Sequence, residues 1–366
     1  MKLLLCERSL SGHRRNYIQW LSAIQGIDFY FYGPENLGFP PDRFYKFEQT
    51  GSMKSFSGYA KWIRQIRRIV KDNRIDSVHI ADGDSIMRFF GYGLHSFGKA
   101  RVIITYHHFF TGTARRISYR MMNAGRSHCC VVHTDTLLSE MKKIGVGNVI
   151  HCDYPSFDFD LFSAMDPAEC RRRFGLADDI PVIGIIGGMT AYKRIIPFLL
   201  LMRKCGADFR LLICGRPSDI SEQNISEAVA PYKEKVHTLL RPLSDEEYKA
   251  AVAASDIIYC LYGREFNGAS GPLTDGVCCR RMILSCDHGS LGEITAQNHL
   301  GVTADVTDGE DILQKTEAAL RQELDFQYDE KAEAYREQLN PEHFLETYKM
   351  IYEHGTALPT DEGINI

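Results

Sequence analysis

"SDIIYCLYGREFNGASGPLTDGVCCRRMILSC", residues 255–286, decides how this chain folds. Two apolar runs of strand length, "DIIYCLY" and "MILSC", bracket a segment of another kind. Its first half is small, with Gly268, Ala269, Ser270 and Gly271, and it ends on one acid, Asp275, followed by Gly276. Ser-Gly-Pro supplies a helix start, because a proline in the first turn has no amide hydrogen to leave unpaired. Strand, helix and strand in succession make a βαβ unit. Runs apolar on both faces suit a parallel sheet covered by helices on each side. A tight loop is the plain account of the small residues. The sharper account is a backbone that approaches a ligand, with the acid one helical turn further on.

The same rhythm extends in both directions. Upstream, "KLLLC" precedes a helix from about Asn16 to Ile24, then "DFYFYG". The stretch "GYAKWIRQIRRIVKDN" puts Tyr59, Trp62, Ile63, Ile66, Ile69 and Val70 on one helical face. "DSVHIA", "ARVIITYHH" and "HCCVVHT" read as further strands, followed by "PVIGIIGG", "FRLLICG" and "KVHTLLR". Helical segments such as "IIPFLLLMRKCG" and "SDEEYKAAVAAS" separate them. The alternation predicts an α/β protein of two doubly wound, Rossmann-like domains facing across a cleft. It lapses at "YPSFDFDLFSAMDPAECRRRFGL". That places one domain at 1–158, joined by a helix near 341–356, and the other at 159–340.

At 366 residues the chain is longer than one hydrophobic core usually supports, which agrees with two domains. No apolar run reaches the roughly 18–20 residues of a spanning helix. "MKLLLCERS" is too short for a signal peptide and reads as a buried strand. Eleven cysteines are scattered with no C-x-x-C, several inside apolar runs. That usage points to a reducing, cytoplasmic setting. The net charge of −4 hides a split: residues 1–155 carry 22 Lys and Arg against 12 Asp and Glu, and residues 156–366 carry 21 against 35. The basic half meets something anionic or is simply a solvated face.

In doubly wound sheets ligands bind beyond the carboxyl ends of the strands, where helix amino termini attract phosphate. Those ends read "RSLSGHRRN", "YHHFF", "GGMTAYKR", "GRPSD" and "LYGREFNGASGPLTDG". None matches G-x-G-x-x-G or the G-x-x-x-x-G-K-[ST] phosphate loop, so dinucleotide-dependent enzymes and P-loop NTPases fit poorly.

The order "GGMTAYKR", "LLICGRP", "LSDEEYKAAVAASDIIYCLY" and "GASGPLTDGVCCRRMILSCDHGSLGEI" resembles the donor domain of family 4 retaining glycosyltransferases of the GT-B fold. The likeness covers roughly residues 145–355 and is weaker over 1–144. It implies transfer of a sugar from a UDP- or GDP-sugar to a glycan or lipid-linked acceptor, as in bacterial surface polysaccharide synthesis, with no metal cofactor and no nucleic-acid partner. It also implies roles. Lys193 matches the lysine facing the donor diphosphate. Asp275 matches the second acid of an E-x7-E pattern that holds the ribose hydroxyls. Ser270 and Gly271 open the helix toward the phosphates. His107, or failing it His108, matches the histidine near the transferred sugar, with a core histidine as the competing reading. Gly12 and His13 match the turn after the first strand, on the acceptor side. Gly215 and Arg216 match the Gly-ending strand, and Glu293 lies in the segment near base and ribose.

Two positions depart from the pattern. Asn267 stands where the family has its first acid, and Gly188 where it has arginine. Arg194, Arg216 or Arg264 could replace that cation. These losses keep alternatives open: a nucleotide-binding or scaffold protein without transfer activity, or a GT-B epimerase or phosphorylase. Asp82–Asp84, "DGD", is the nearest thing to a metal-binding D-x-D. The basic helices of the first half make the inner face of an anionic membrane a candidate peripheral partner.

Overall fold

The computed structural model describes residues 1–10, 14–47, 55–125, 128–176, 179–324 and 326–355. Gly12 and His13 lie outside the described residues. The chain forms two compact units, Met1–Tyr154 together with the segment from Pro341 onward, and Pro155–Asn340.

The first unit is built on β1 (Lys2–Cys6), β2 (Asp28–Gly33), β3 (Phe44–Lys46), β4 (Ser77–Ile80), β5 (Arg101–Tyr106), β6 (His128–Val132) and β7 (Val149–His151). They form one parallel sheet in the order β3-β2-β1-β4-β5-β6-β7. The chain turns from one edge to the other between β1 and β4, the switch point of a doubly wound sheet. The helix Phe56–Asn73 buries the six residues its periodicity picks out, capped by the Ser55 side chain at one end and left-handed Arg74 at the other. The first helix runs from Arg14 to Ser22, two residues earlier than its apolar pattern suggests at each end. Ile24 is still buried, in the turn that follows.

Pro341–His354 closes the first unit. Its Phe344, Tyr348, Ile351 and Tyr352 are buried. The Tyr352 hydroxyl meets His79 Nδ1 at 2.8 Å, and Thr105 Oγ1 lies 2.8 Å from His79 Nε2 and 2.9 Å from the Tyr348 hydroxyl. These bonds satisfy polar groups inside an otherwise apolar layer, which is what burial of a histidine requires.

The second unit holds β8 (Val182–Ile186), β9 (Arg210–Cys214), β10 (Val236–Leu239), β11 (Ile257–Cys260), β12 (Met282–Cys286) and β13 (Gly301–Ala304). All pair in parallel, in the order β10-β9-β8-β11-β12-β13. Its switch point falls between β8 and β11. Val182–Ile186 and Ile257–Cys260 are buried along their whole length, as a sheet sandwiched between helix layers demands.

β8 and β9 stay in register past their ends: Met189 N–H donates to the Arg216 carbonyl at 2.9 Å, and Gly187 N–H to the Cys214 carbonyl at 2.8 Å. The approach is closest at Gly215, with φ +144°, where an added Cβ would sit 2.0 Å from the Gly187 carbonyl oxygen. No L-residue fits there without backbone movement. Gly188, by contrast, has open space where its Cβ would be. Gly215→Ala is expected to cost about 3 kcal/mol or more in urea denaturation, and Gly188→Ala less than about 1 kcal/mol.

Candidate functional site

The residues that follow β8 form the centre of the second unit's site. A short helical turn, Ala191–Lys193, ends on Arg194 in the left-handed conformation, which returns the chain into the helix Ile195–Leu201. This turn folds the Lys193 side chain inward. Lys193 is 7% exposed; its ammonium donates to the Ile186 carbonyl at 2.9 Å and lies 5.4 Å from the centre of the Tyr262 ring. No carboxylate pairs with it among the described residues. Burial drives its pKa down to about 8. A Cβ on Gly187 would stand 3.3 Å from that ammonium and 3.9 Å from Pro272, so glycine leaves the space between the lysine and the helix start open.

That helix runs Gly271–Cys278 with Ser270 as its cap residue and Pro272 in its first turn. The Ser270 hydroxyl meets the Tyr262 hydroxyl at 3.2 Å instead of capping the helix amides. Buried ammonium, the Tyr262 and Ser270 hydroxyls and the helix amino terminus therefore sit together at the carboxyl ends of β8 and β11. Unpaired amides and a buried cation at one place favour an anion. The adjoining loop is stapled to the helix Gly289–Gln297: Ser290 Oγ donates to the Gly268 carbonyl at 2.6 Å and accepts from Gly268 N–H at 3.1 Å.

Asp275 is buried, 7% exposed, on the inner face of its helix. Its Oδ1 accepts from Ser156 Oγ and its Oδ2 from the Tyr248 hydroxyl, both at 2.7 Å. The carboxylate that the sequence assigns to the ribose thus already anchors two segments of its own unit. Asn267, in the position of the missing acid, has its Oδ1 buried without a hydrogen-bond partner. Glu293 is exposed on its helix, and Arg216 is exposed beyond Gly215. Arg264 is spent partly on Asp305, at 3.8 Å. Arg194 lines a separate cavity of about 240 Å³ with Phe198, Tyr259 and Val306.

The first unit gathers charge at its own switch point. Glu7, just past β1, accepts from the amides of Arg8 and Ser9 at 2.7 and 3.0 Å and from Arg14 at 3.3 Å. Burial raises its pKa to about 7. Arg14 also pairs with Asp82, beyond β4, at 2.5 Å. Asp84 Oδ2 accepts the amides of both His107 and His108 at 3.0 Å, and its Oδ1 is buried without a partner. The DGD pair is therefore split between an arginine and two peptide amides. No cluster of three or more His, Cys, Asp or Glu suited to a metal occurs among the described residues.

His107 lies at the end of β5. Its Nε2 is 2.9 Å from the Ala81 carbonyl, which can only accept, so Nε2 carries the proton. Its ring centre is 5.1 Å from that of His133, whose Nδ1 donates to the Cys152 carbonyl at 2.8 Å. Burial lowers the pKa of both imidazoles, leaving them neutral hydrogen-bonding groups rather than cations. His108 stands next to it with a pKa lowered to about 4. Sequence patterns carried no signal for Ser156, Tyr248, Tyr262 or His133, because hydrogen-bond partners remote in sequence leave no spacing to read.

No protein-family model matches the chain, and no curated protein matches it in sequence. Solved structures do match it in shape. A glycosyltransferase from Rickettsia africae superposes with a TM-score of 0.75 at 17% identity, over 96% of this chain and 97% of the other. Sucrose-phosphate synthase from Thermosynechococcus elongatus gives 0.75 at 15%, over 96% and 98%. Anabaena HepE, solved in complex with UDP, gives 0.73 at 11%, over 96% and 99%. The chain has the GT-B fold. At these identities the likeness carries the fold, and each residue's role rests on the geometry above.

The Asp275 anchors make a stability prediction. Tyr248→Phe removes one donor from a buried carboxylate and should lower the unfolding free energy by about 1–3 kcal/mol. Asp275→Ala should lower it at least as much, read from urea midpoints at constant m-value.

Proposed function

We propose that this protein is a glycosyltransferase that uses a nucleoside diphosphate sugar, UDP- or GDP-linked, and retains anomeric configuration. The observation that carries the reading is the buried, carboxylate-free ammonium of Lys193 beside the amino terminus of Gly271–Cys278. Such a pair suits a diphosphate, which gains charge as the sugar leaves. The UDP complex of HepE, which shares the fold, supports the same ligand class. Asp275 and the buried Asn267 carbonyl would take the ribose hydroxyl and amide-like groups of the nucleotide. Neutral His107 would hydrogen-bond a sugar hydroxyl from the first unit. The leaving phosphate oxygen would take the acceptor proton on the same face of the sugar, so this chain's residues position and neutralise rather than act as base. We take donor use to be metal-independent, with charge balanced by Lys193 and the helix amides. A second reading, a nucleotide-binding protein with weak or no transfer, is favoured by Asn267 in place of an acid.

Lys193→Ala should reduce turnover roughly a hundredfold with the fold retained, in buffer containing EDTA. Normal turnover of the variant would refute the assignment, and loss of wild-type activity on chelation would refute metal independence. The pH dependence follows from the lysine. With a folded pKa of about 8 against an unfolded value near 10.5, the folded state releases the proton first, so stability of the unliganded protein rises between those values. Affinity for UDP should move the opposite way, falling by up to about tenfold per pH unit above 8.

We place the acceptor on the first unit and take a lipid-linked glycan at the cytoplasmic membrane face as its class. No helix among the described residues is long and apolar enough to cross a membrane. Exposed Arg116, Arg120, Ile117 and Met121 share the helix Thr113–Met122, and exposed Phe56 packs on Tyr92 at 5.0 Å. Basic and apolar groups side by side suit an anionic leaflet. Co-sedimentation with vesicles containing anionic lipid should be strong at low salt and lost at high salt. Ile117→Glu with Met121→Glu should abolish it.

A further inference from the structure

At the carboxyl end of β1 the first unit leaves a set of buried donors without acceptors. Arg8 Nε and Nη1, the Tyr59 hydroxyl and Trp62 Nε1 are all buried and have no hydrogen-bond partner among the described residues. Tyr59 and Trp62 are 0% and 1% exposed, whereas Arg8 is half-buried and reachable from solvent. The two rings sit one turn apart on the inner face of Phe56–Asn73, with centres 6.0 Å apart. Phe89 stacks flat on Tyr59 at 4.2 Å, and Tyr32 stacks on Trp62 at 6.5 Å. Their faces are thus taken by other aromatics, and their polar edges are left over. Glu7 N–H donates to the Tyr32 carbonyl at 3.1 Å, which sets Arg8 next to the strand end whose Tyr32 ring stacks on Trp62.

Buried donors of this kind normally find a partner, and an unmade bond there costs stability. Neighbouring acids do not supply one. Asp82 is held by Arg14, and the Glu7 carboxylate is turned to the amides of Arg8 and Ser9 and to Arg14. Arg8 forms no ion pair among the described residues. Burial lowers the Arg8 pKa, Asp82 and Glu7 act against that, and Arg14 and the exposed Arg88 act with it. A planar guanidinium with two unpartnered nitrogens, a phenol and an indole N–H together match a tetrahedral oxyanion with several acceptor atoms.

We propose that Arg8, Tyr59 and Trp62 form a binding site for a phosphate group carried by the acceptor. This rests on the glycosyltransferase reading for the word acceptor, but the anion site itself does not. The phosphate would come from a soluble sugar phosphate or from the diphosphate of a lipid carrier.

The chain has two tryptophans, Trp20 and Trp62, so Trp20→Phe leaves Trp62 as the reporter in the intact protein. Its fluorescence is titrated with glucose 1-phosphate and, separately, with a soluble isoprenyl diphosphate. A saturable change is expected. Affinity should fall at least about tenfold in Arg8→Gln, less in Arg8→Lys, which keeps charge but not the fork, and several-fold in Tyr59→Phe. The tighter of the two ligands identifies the source of the phosphate. If Arg8→Gln does not fold, the nearly isosteric Tyr59→Phe decides. No response to either ligand, or equal responses in wild type, Arg8→Gln and Tyr59→Phe, would overturn the site. UDP binding by calorimetry separates the two proposals: Lys193→Ala should lose UDP and keep the Trp62 response, and Arg8→Gln should do the reverse.

Discussion

A buried ammonium with no carboxylate partner among the described residues is the constraint on which the second unit is organised. Lys193 gives one hydrogen bond to the Ile186 carbonyl and otherwise faces the Tyr262 ring. A side chain so placed loses its hydration and recovers little of it, which is why its pKa falls to about 8. Several local features exist to allow it. Left-handed Arg194 ends the turn that folds the lysine inward. Gly187 leaves room beside the ammonium, and Gly215 lets the neighbouring strand end press against Gly187. The Tyr259 hydroxyl, donating to the Lys193 carbonyl at 2.7 Å, fixes the backbone from below. Stability given up at one residue is recovered from the packed strands around it, a distribution typical of binding sites.

The first unit handles charge by a different route. Glu7, Asp82 and Arg14 satisfy one another at the switch point, and burial raises the Asp84 pKa against the two peptide amides that favour its charged form. His79, His107 and His133 are kept neutral by desolvation and each bonds to a carbonyl or hydroxyl group. The result is a strand-end surface rich in oriented hydrogen-bonding groups with modest fixed charge. Such groups suit hydroxyl-rich ligands, and the lysine and helix amides of the second unit suit a diphosphate.

Much of this architecture was legible in the sequence, for identifiable reasons. Strands buried on both faces, such as Val182–Ile186 and Ile257–Cys260, announce themselves as unbroken apolar runs. The helix at Gly271 is marked by Ser-Gly-Pro. The edge strands Phe44–Lys46, Val149–His151 and Gly301–Ala304 were not, because three or four half-exposed residues carry no periodicity. The position of Lys193 after a glycine turn was readable, but its burial was not. Nor could Asp275 be seen to anchor Ser156 and Tyr248, since tertiary folding alone selects a partner 119 residues away. Gly188 looked like a lost cation in the sequence, whereas the sterically demanding glycines prove to be Gly187 and Gly215.

One consequence joins the two strand ends. Glu7 titrates at about 7 and Lys193 at about 8, each moved there by burial more than by a partner of opposite charge. Groups in this position have protonation states that a ligand can set. An anion beside Lys193 stabilises the ammonium and raises its pKa, so above pH 8 binding takes up a proton. A cationic or hydroxyl-rich ligand beside Glu7 stabilises the carboxylate, so near neutral pH binding releases one. Glu7 already has Arg14 as its counterion, whereas Lys193 has no carboxylate partner among the described residues; locked in a salt bridge, the lysine's charge would be fixed and its site partly occupied by its own counterion. Leaving Lys193 buried and underpaired keeps its full electrostatic interaction for the ligand, at the expense of stability in its absence.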